Sequence, residues 1–172
     1  MRVVVLGNSG SGKSTLAKWL ANQSGAALLD LDTVAWDPKQ IAVARPESAA
    51  AADVAAFCKS NARWVAEGCY ANLVRTTFEF QPRLLFLNPG EGQCVANCQS
   101  RPWEPHKYQS KAEQDARLGF LLSWAREYYT REGEMSLRGH LDCFDSYLGP
   151  KQELITMPDL SNLSPEVAAW LS

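Results

Sequence analysis

Nowhere in the 172 residues does an apolar run approach the roughly 20 needed to cross a bilayer. No charge of one sign dominates either. The 17 Lys and Arg against 19 Asp and Glu leave a formal net charge of −2, so the chain as a whole has no pull on nucleic acid or an anionic membrane. Histidine is scarce: His106 and His140 alone give histidine catalysis little to work with. The five cysteines (Cys58, Cys69, Cys94, Cys98 and Cys143) are odd in number and lack zinc-ligand spacing, which makes reduced thiols the expectation. The N-terminal MRVVVLGNSG is too short in apolar residues for a signal peptide, so a cytoplasmic location is expected. No repeat or low-complexity linker divides the chain, and its length suits one domain over residues 1–172.

What is present is a core-forming chain, 46% hydrophobic, in which short apolar runs alternate with helical patterns. Strands are expected at Val3–Leu6, Ala27–Leu31, Trp64–Glu67, Leu84–Leu87 and Glu153–Met157. The first and fourth are unbroken apolar runs, as in strands buried on both faces of a parallel sheet. Helices are expected from Lys13 to about Asn22, over Pro46–Asn61, over Glu91–Ser100, over Ser110–Arg131 and over Ser136–Leu148. A last one opens at Ser164-Pro165-Glu166. Strands separated by helices predict a three-layer α/β/α sandwich around a five-stranded parallel sheet in the order 2-3-1-4-5. The stretch from Gln93 to Pro150 holds only helices, and a lid or cover is expected within residues 101–150.

The sharpest signal is Gly7-Asn8-Ser9-Gly10-Ser11-Gly12-Lys13-Ser14, which fits G-x-x-x-x-G-K-[ST] at every fixed position. Val3-Val4-Val5-Leu6 before it reads as a strand, and Thr15-Leu16-Ala17-Lys18 after it as a helix. Glycines let the backbone turn around a phosphate, and successive N–H groups then form an anion nest at a helix N-terminus. Lys13 can reach the β- and γ-phosphates and the Ser14 hydroxyl can ligate Mg²⁺. Residues Gly7 to Thr15 are therefore the expected nucleotide site.

A phosphate loop alone names no reaction. A guanine-reading N-K-x-D is absent, as are the hydrophobic run ending in Asp-Glu and the further motifs of motor and transporter ATPases. A phosphotransferase needs an acid for the metal, a group for the acceptor and a cationic lid. Asp30 and Asp32 lie i, i+2 at the end of the second expected strand, where alternation directs both to one side. Asp32 is expected to orient or deprotonate an acceptor hydroxyl. Asp30, and Glu67 at the end of the third strand, are expected to help hold Mg²⁺ through water. Arg101, with Lys107 second, is the expected lid cation. Arg45 and Arg75 could grip an anionic acceptor, and Trp36 could stack on an acceptor ring.

G-N-S-G-S-G-K-S (Gly7–Ser14), L-D-x-x-x-W (Leu31–Trp36) and W-V-x-E-G-x-Y (Trp64–Tyr70) together resemble small bacterial P-loop kinase-like proteins. That group is similar to adenylate and shikimate kinases and includes proteins called DNA topology modulation proteins. The similarity spans roughly the first 90 residues. It implies a five-stranded parallel sheet with a lid, binding of ATP and Mg²⁺ through Gly10, Gly12, Lys13 and Ser14, and a metal and acceptor role for Asp30 and Asp32. The expected activity is transfer of the ATP γ-phosphoryl group to a small-molecule acceptor. Two rivals stand beside it. One is a nucleotide-binding regulatory protein or slow ATPase. The other is a nucleic-acid-end kinase or binder using Arg101, Trp103, Lys107, Lys111 and Arg117, which the net charge disfavours.

Overall fold

The computed structural model describes residues 1–37, 40, 43–104, 109–157 and 159–161. Its strands are β1 (Arg2–Gly7), β2 (Ala27–Asp30), β3 (Trp64–Gly68), β4 (Arg83–Leu87) and β5 (Lys151–Leu154). All are parallel, in the order β2-β3-β1-β4-β5. Among the described residues the helices are α1 (Lys13–Ser24), α2 (Asp32–Ala35), α3 (Glu47–Ser60), α4 (Ala71–Thr76), α5 (Glu91–Gln99), α6 (Lys111–Ala116), α7 (Leu118–Glu127) and α8 (Leu137–Ser146).

Alternation along the strands builds the layers. Val4 and Leu6 of β1, with Trp64 and Ala66 of β3 and Leu84 and Phe86 of β4, pack against α3, α4 and α8. Val3 and Val5, with Val65, Leu85 and Leu87, pack against Leu16, Ala17, Leu20 and Ala21 of α1. Full burial of each large apolar side chain contributes about 1.5–3 kcal/mol, so the central strands anchor the molecule from both faces. The register then sets the site. Val5 lies opposite Glu67 on β3, and Glu67 lies opposite Asp30 on β2. The carboxyl ends of three neighbouring strands thus open at one edge, the usual place for a ligand in an open α/β sheet.

Several elements differ from expectation for local reasons. The single helix expected over Ser110–Arg131 is two, α6 and α7. The Arg117 amide closes a tight turn on the Gln114 carbonyl (3.1 Å), and Gly119, a poor helix former, follows. The last strand sits at Lys151–Leu154 rather than Glu153–Met157. Its neighbour sets the register: the Leu84 amide donates to the Pro150 carbonyl and the Asn88 amide to the Leu154 carbonyl, both at 2.9 Å. Helices α2 and α4 and the 3₁₀ turn Phe78–Phe80 are too short to declare a period. The helix expected to open at Ser164 lies outside the described residues. All five cysteines are free thiols. Among the described residues no helix is long and apolar enough to cross a membrane.

Candidate functional site

The loop between β1 and α1 is held open by its surroundings. Gly10 (φ 77°) and Gly12 (φ 96°) occupy the left-handed region. A Cβ at Gly10 would also strike the Cys94 carbonyl of α5, so the turn can lie this close to α5 only with glycine there. Asn8, buried, ties the loop together. Its Oδ1 accepts the Ser9 N–H (2.7 Å), its carbonyl accepts the Ser11 N–H (3.1 Å), and its Nδ2 donates to the Ala125 carbonyl of α7 (2.8 Å). From α5, Asn97 Nδ2 donates to the Gly10 carbonyl (2.8 Å). Lys13 Nζ lies 3.4 Å from the Asn8 carbonyl, folded back over the loop. The amides of Gly10, Gly12, Lys13, Ser14 and Thr15 have no acceptor among the described residues. They stand at the N-terminus of α1, the positive end of its dipole.

The three acids divide their roles. Strand β2 ends at Asp30, so strand alternation does not carry on to Asp32, which opens α2 instead. Asp30 Oδ1 accepts the Asp32 N–H (2.9 Å) and caps that turn. Asp32 Oδ1 accepts the Tyr70 hydroxyl (2.8 Å). Glu67 is only 4% exposed. Burial pushes its carboxyl above the usual range, the Lys13 charge and a hydrogen bond from the Ser14 hydroxyl work the other way, and Asp30 and Asp32 add to the rise. A buried carboxylate touching a hydroxyl beside the phosphate loop suits Mg²⁺, a hard cation that keeps waters and takes its remaining ligands from substrate phosphates. The donor set therefore fits that ion. No cluster of three or more His, Cys, Asp or Glu forms a self-sufficient metal cage among the described residues.

These groups meet in one cleft of about 450 Å³. Ser9, Gly10, Gly12, Lys13, Ser14 and Thr15 line it together with Asp32, Glu67 and Arg101. Gly7, Asn8, Ser11 and Asp30 are not on its wall. Arg101 pairs with Glu104 (3.2 Å) at the mouth. Gln114 of α6 clamps that segment, accepting the Glu104 N–H (2.8 Å) and donating to the Pro102 carbonyl (3.1 Å). Lys107 and His106 lie outside the described residues. The other cations of the basic stretch are matched by acids, Lys111 by Asp115 (2.9 Å) and Arg117 by Glu113 (3.4 Å).

Three expected acceptor residues stand away from the cleft walls. Arg45 is paired with Asp53 (2.7 Å) and donates to the Val34 carbonyl (2.9 Å). Arg75 donates to Ser146 Oγ (2.6 Å) on the α4–α8 side. Trp36 donates its indole N–H to the Tyr70 hydroxyl (2.6 Å). Sequence reasoning missed Tyr70, Asn97 and Lys18, the last also on the cleft wall. For Asn97 a signal existed: Cys94, Asn97 and Cys98 fall on one face of α5, and that face meets Gly10. Tyr70 closes the W-V-x-E-G-x-Y run, but nothing in spacing brings residue 70 to residue 32.

The sequence matches no family model and no curated protein. The fold does have likenesses among solved structures. A gluconokinase from Sinorhizobium meliloti 1021 is 20% identical, with 99% of this chain and 90% of that one covered and a TM-score of 0.51. A deoxyadenosine kinase from M. mycoides, solved with bound dATP, is 12% identical over 99% of both chains, TM-score 0.52. An uncharacterized protein from Eubacterium ventriosum ATCC 27560 is 13% identical, over 99% of this chain and 98% of that one, TM-score 0.52. At such identities the likeness speaks to architecture. With the strand order and the loop between β1 and α1, it establishes that this chain has the α/β fold of the small P-loop kinases.

Proposed function

We propose that this protein is a P-loop phosphotransferase that moves the ATP γ-phosphoryl group to a hydroxyl of a small acceptor with Mg²⁺. The observation that carries this reading is the meeting of Lys13, Ser14, Asp32, Glu67 and Arg101 around a single cleft. The open amides of residues 12–15 and the Lys13 ammonium bind and orient the triphosphate. Ser14, with Glu67 and Asp30 through water, would hold Mg²⁺, which when bound neutralises charge on the phosphate oxygens. Asp32 receives the acceptor hydroxyl. As that oxygen bonds to the γ-phosphorus and the bond to ADP breaks, the hydroxyl proton passes to the Asp32 carboxylate. Arg101 leaves Glu104 to face the charge on the transferred group. The segment 101–104 with α6 acts as the cover that excludes water. Arg45, Arg75 and Trp36 would reach the acceptor only if the residues around them move on binding.

Acceptors are suggested by the similar structures: gluconate by one and deoxyadenosine by another. The test measures ADP release and labelled product from γ-labelled ATP, with and without each of these. A phosphotransferase is stimulated by an acceptor and loses that stimulation in Asp32→Asn. Slow ATP turnover, unmoved by any acceptor and unchanged in Asp32→Asn, would point to a nucleotide-binding regulator or slow ATPase instead. The paired cations at 101, 111 and 117 speak against the nucleic-acid reading, which would require binding that falls steeply with salt.

A further inference from the structure

Tyr70 is 7% exposed, yet its hydroxyl ends at the one acid assigned to the acceptor. The direction of its hydrogen bonds follows from counting protons. An indole N–H can only donate, so at 2.6 Å Trp36 Nε1 must occupy a lone pair of the Tyr70 oxygen. A phenol has a single proton, and a carboxylate can only accept. The Tyr70 proton is therefore committed to Asp32 Oδ1, 2.8 Å away.

The surrounding backbone holds the tyrosine in place. Gly68 lies so close to Leu31 that a Cβ there would sit 2.8 Å from the Leu31 Cβ, which locks the end of β3 against the turn that carries Asp32. The Cys69 carbonyl is bound by His140 Nε2 (2.8 Å). Trp36 is anchored in turn by a bridge to Ala44.

From this we infer that Tyr70 is a positioning residue for Asp32. Trp36 fixes the sense of the phenol, and the phenol fixes the rotation of the carboxylate that receives the acceptor hydroxyl. Trp36 thus acts through Tyr70 rather than by stacking on the acceptor. The inference rests on the functional reading above for the role of Asp32, though the geometry stands apart from it.

The test compares the wild-type protein with Tyr70→Phe, Trp36→Phe, Asp32→Asn and the double variant Tyr70→Phe/Asp32→Asn. Crystal structures of the wild type and of Tyr70→Phe come first. Phosphoryl transfer from ATP to gluconate, to deoxyadenosine and to water is then measured, with ATP affinity taken separately. The expected result is a rotated Asp32 carboxylate in Tyr70→Phe and ATP affinity within twofold of wild type. Turnover at saturating ATP should drop about tenfold in Tyr70→Phe and by less in Trp36→Phe. In the Asp32→Asn background, Tyr70→Phe should cause no further loss. An unmoved Asp32 carboxylate, a parallel loss of ATP affinity, or additive losses in the double variant overturns the inference. If no acceptor and no water receives the phosphoryl group, the functional reading fails, and the orientation of Asp32 in the crystals still decides this one.

Discussion

His140 should make the stability of this protein depend on pH between about 6.5 and 4. It is fully buried between Tyr128, the residue after α7, and the loop after β3. Its Nε2 must donate, because the Cys69 carbonyl can only accept, and in the neutral ring Nδ1 then accepts from the Tyr128 hydroxyl (2.8 Å). Burial lowers its pKa from 6.5 to about 4, the Cys69 hydrogen bond opposes this, and the Lys13 and Arg131 charges reinforce it. The unfolded chain takes up a proton below pH 6.5 and the folded one only near 4. The His140 contribution is therefore constant above 6.5 and falls as the pH drops from there toward 4. At 1.36 kcal/mol per pH unit the full loss is about 3 kcal/mol, most of it gone by pH 4.5. Urea unfolding followed by tryptophan fluorescence at pH 7.5, 6.5, 5.5 and 4.5, on the wild type and His140→Gln, isolates this effect. Carboxylates titrate in both proteins and cancel in the difference. The wild type should lose roughly 2–3 kcal/mol more than the variant across that range. Parallel pH profiles would refute the reasoning.

Two further outcomes follow from the phosphate loop and its acids. Gly10→Ala carries the backbone cost of a left-handed alanine, about 1–2 kcal/mol, and adds a clash with the Cys94 carbonyl. Gly133→Ala carries the backbone cost alone, since nothing lies within 4 Å of a Cβ there. The melting temperature should fall further in the first variant, with loss of ATP binding, and equal falls would contradict the packing argument. Glu67→Gln removes a charge whose burial raises its folded pKa. A group of that kind costs stability once the pH has risen through its unfolded value, so the ATP-free variant should melt higher than wild type at pH 7 while its turnover no longer responds to Mg²⁺. A lower melting point would mean that the carboxylate is stabilised by its neighbours rather than strained by burial.

The parts legible in the sequence are those whose cause is local. Val3–Leu6 reads as a doubly buried strand because no polar residue interrupts it, and the glycines and Lys13 are fixed by the loop they must form. Asp32 and Glu67 stand out in the sequence because strand ends face the ligand side of such a sheet, and both line the cleft. What spacing could not give depends on which element meets which. Asp30 and Asp32 seemed to share one side until β2 ended between them and Asp30 became a cap. Arg45 is claimed by Asp53 across eight residues, and Arg75 by Ser146 on a helix 71 residues away. The Trp36–Tyr70–Asp32 chain joins residues 34 and 38 apart through a contact that only the packed β2 and β3 ends create.

The account stands or falls on whether the turn between β1 and α1 binds the tail of a nucleotide. Calorimetric titration of ATP with Mg²⁺ into the wild type and into Lys13→Ala tests this most directly. Saturable one-to-one binding to the wild type, weakened at least tenfold in Lys13→Ala with the fold intact, is the expected result. ATP that fails to bind the folded wild-type protein, or binds Lys13→Ala equally well, would contradict it.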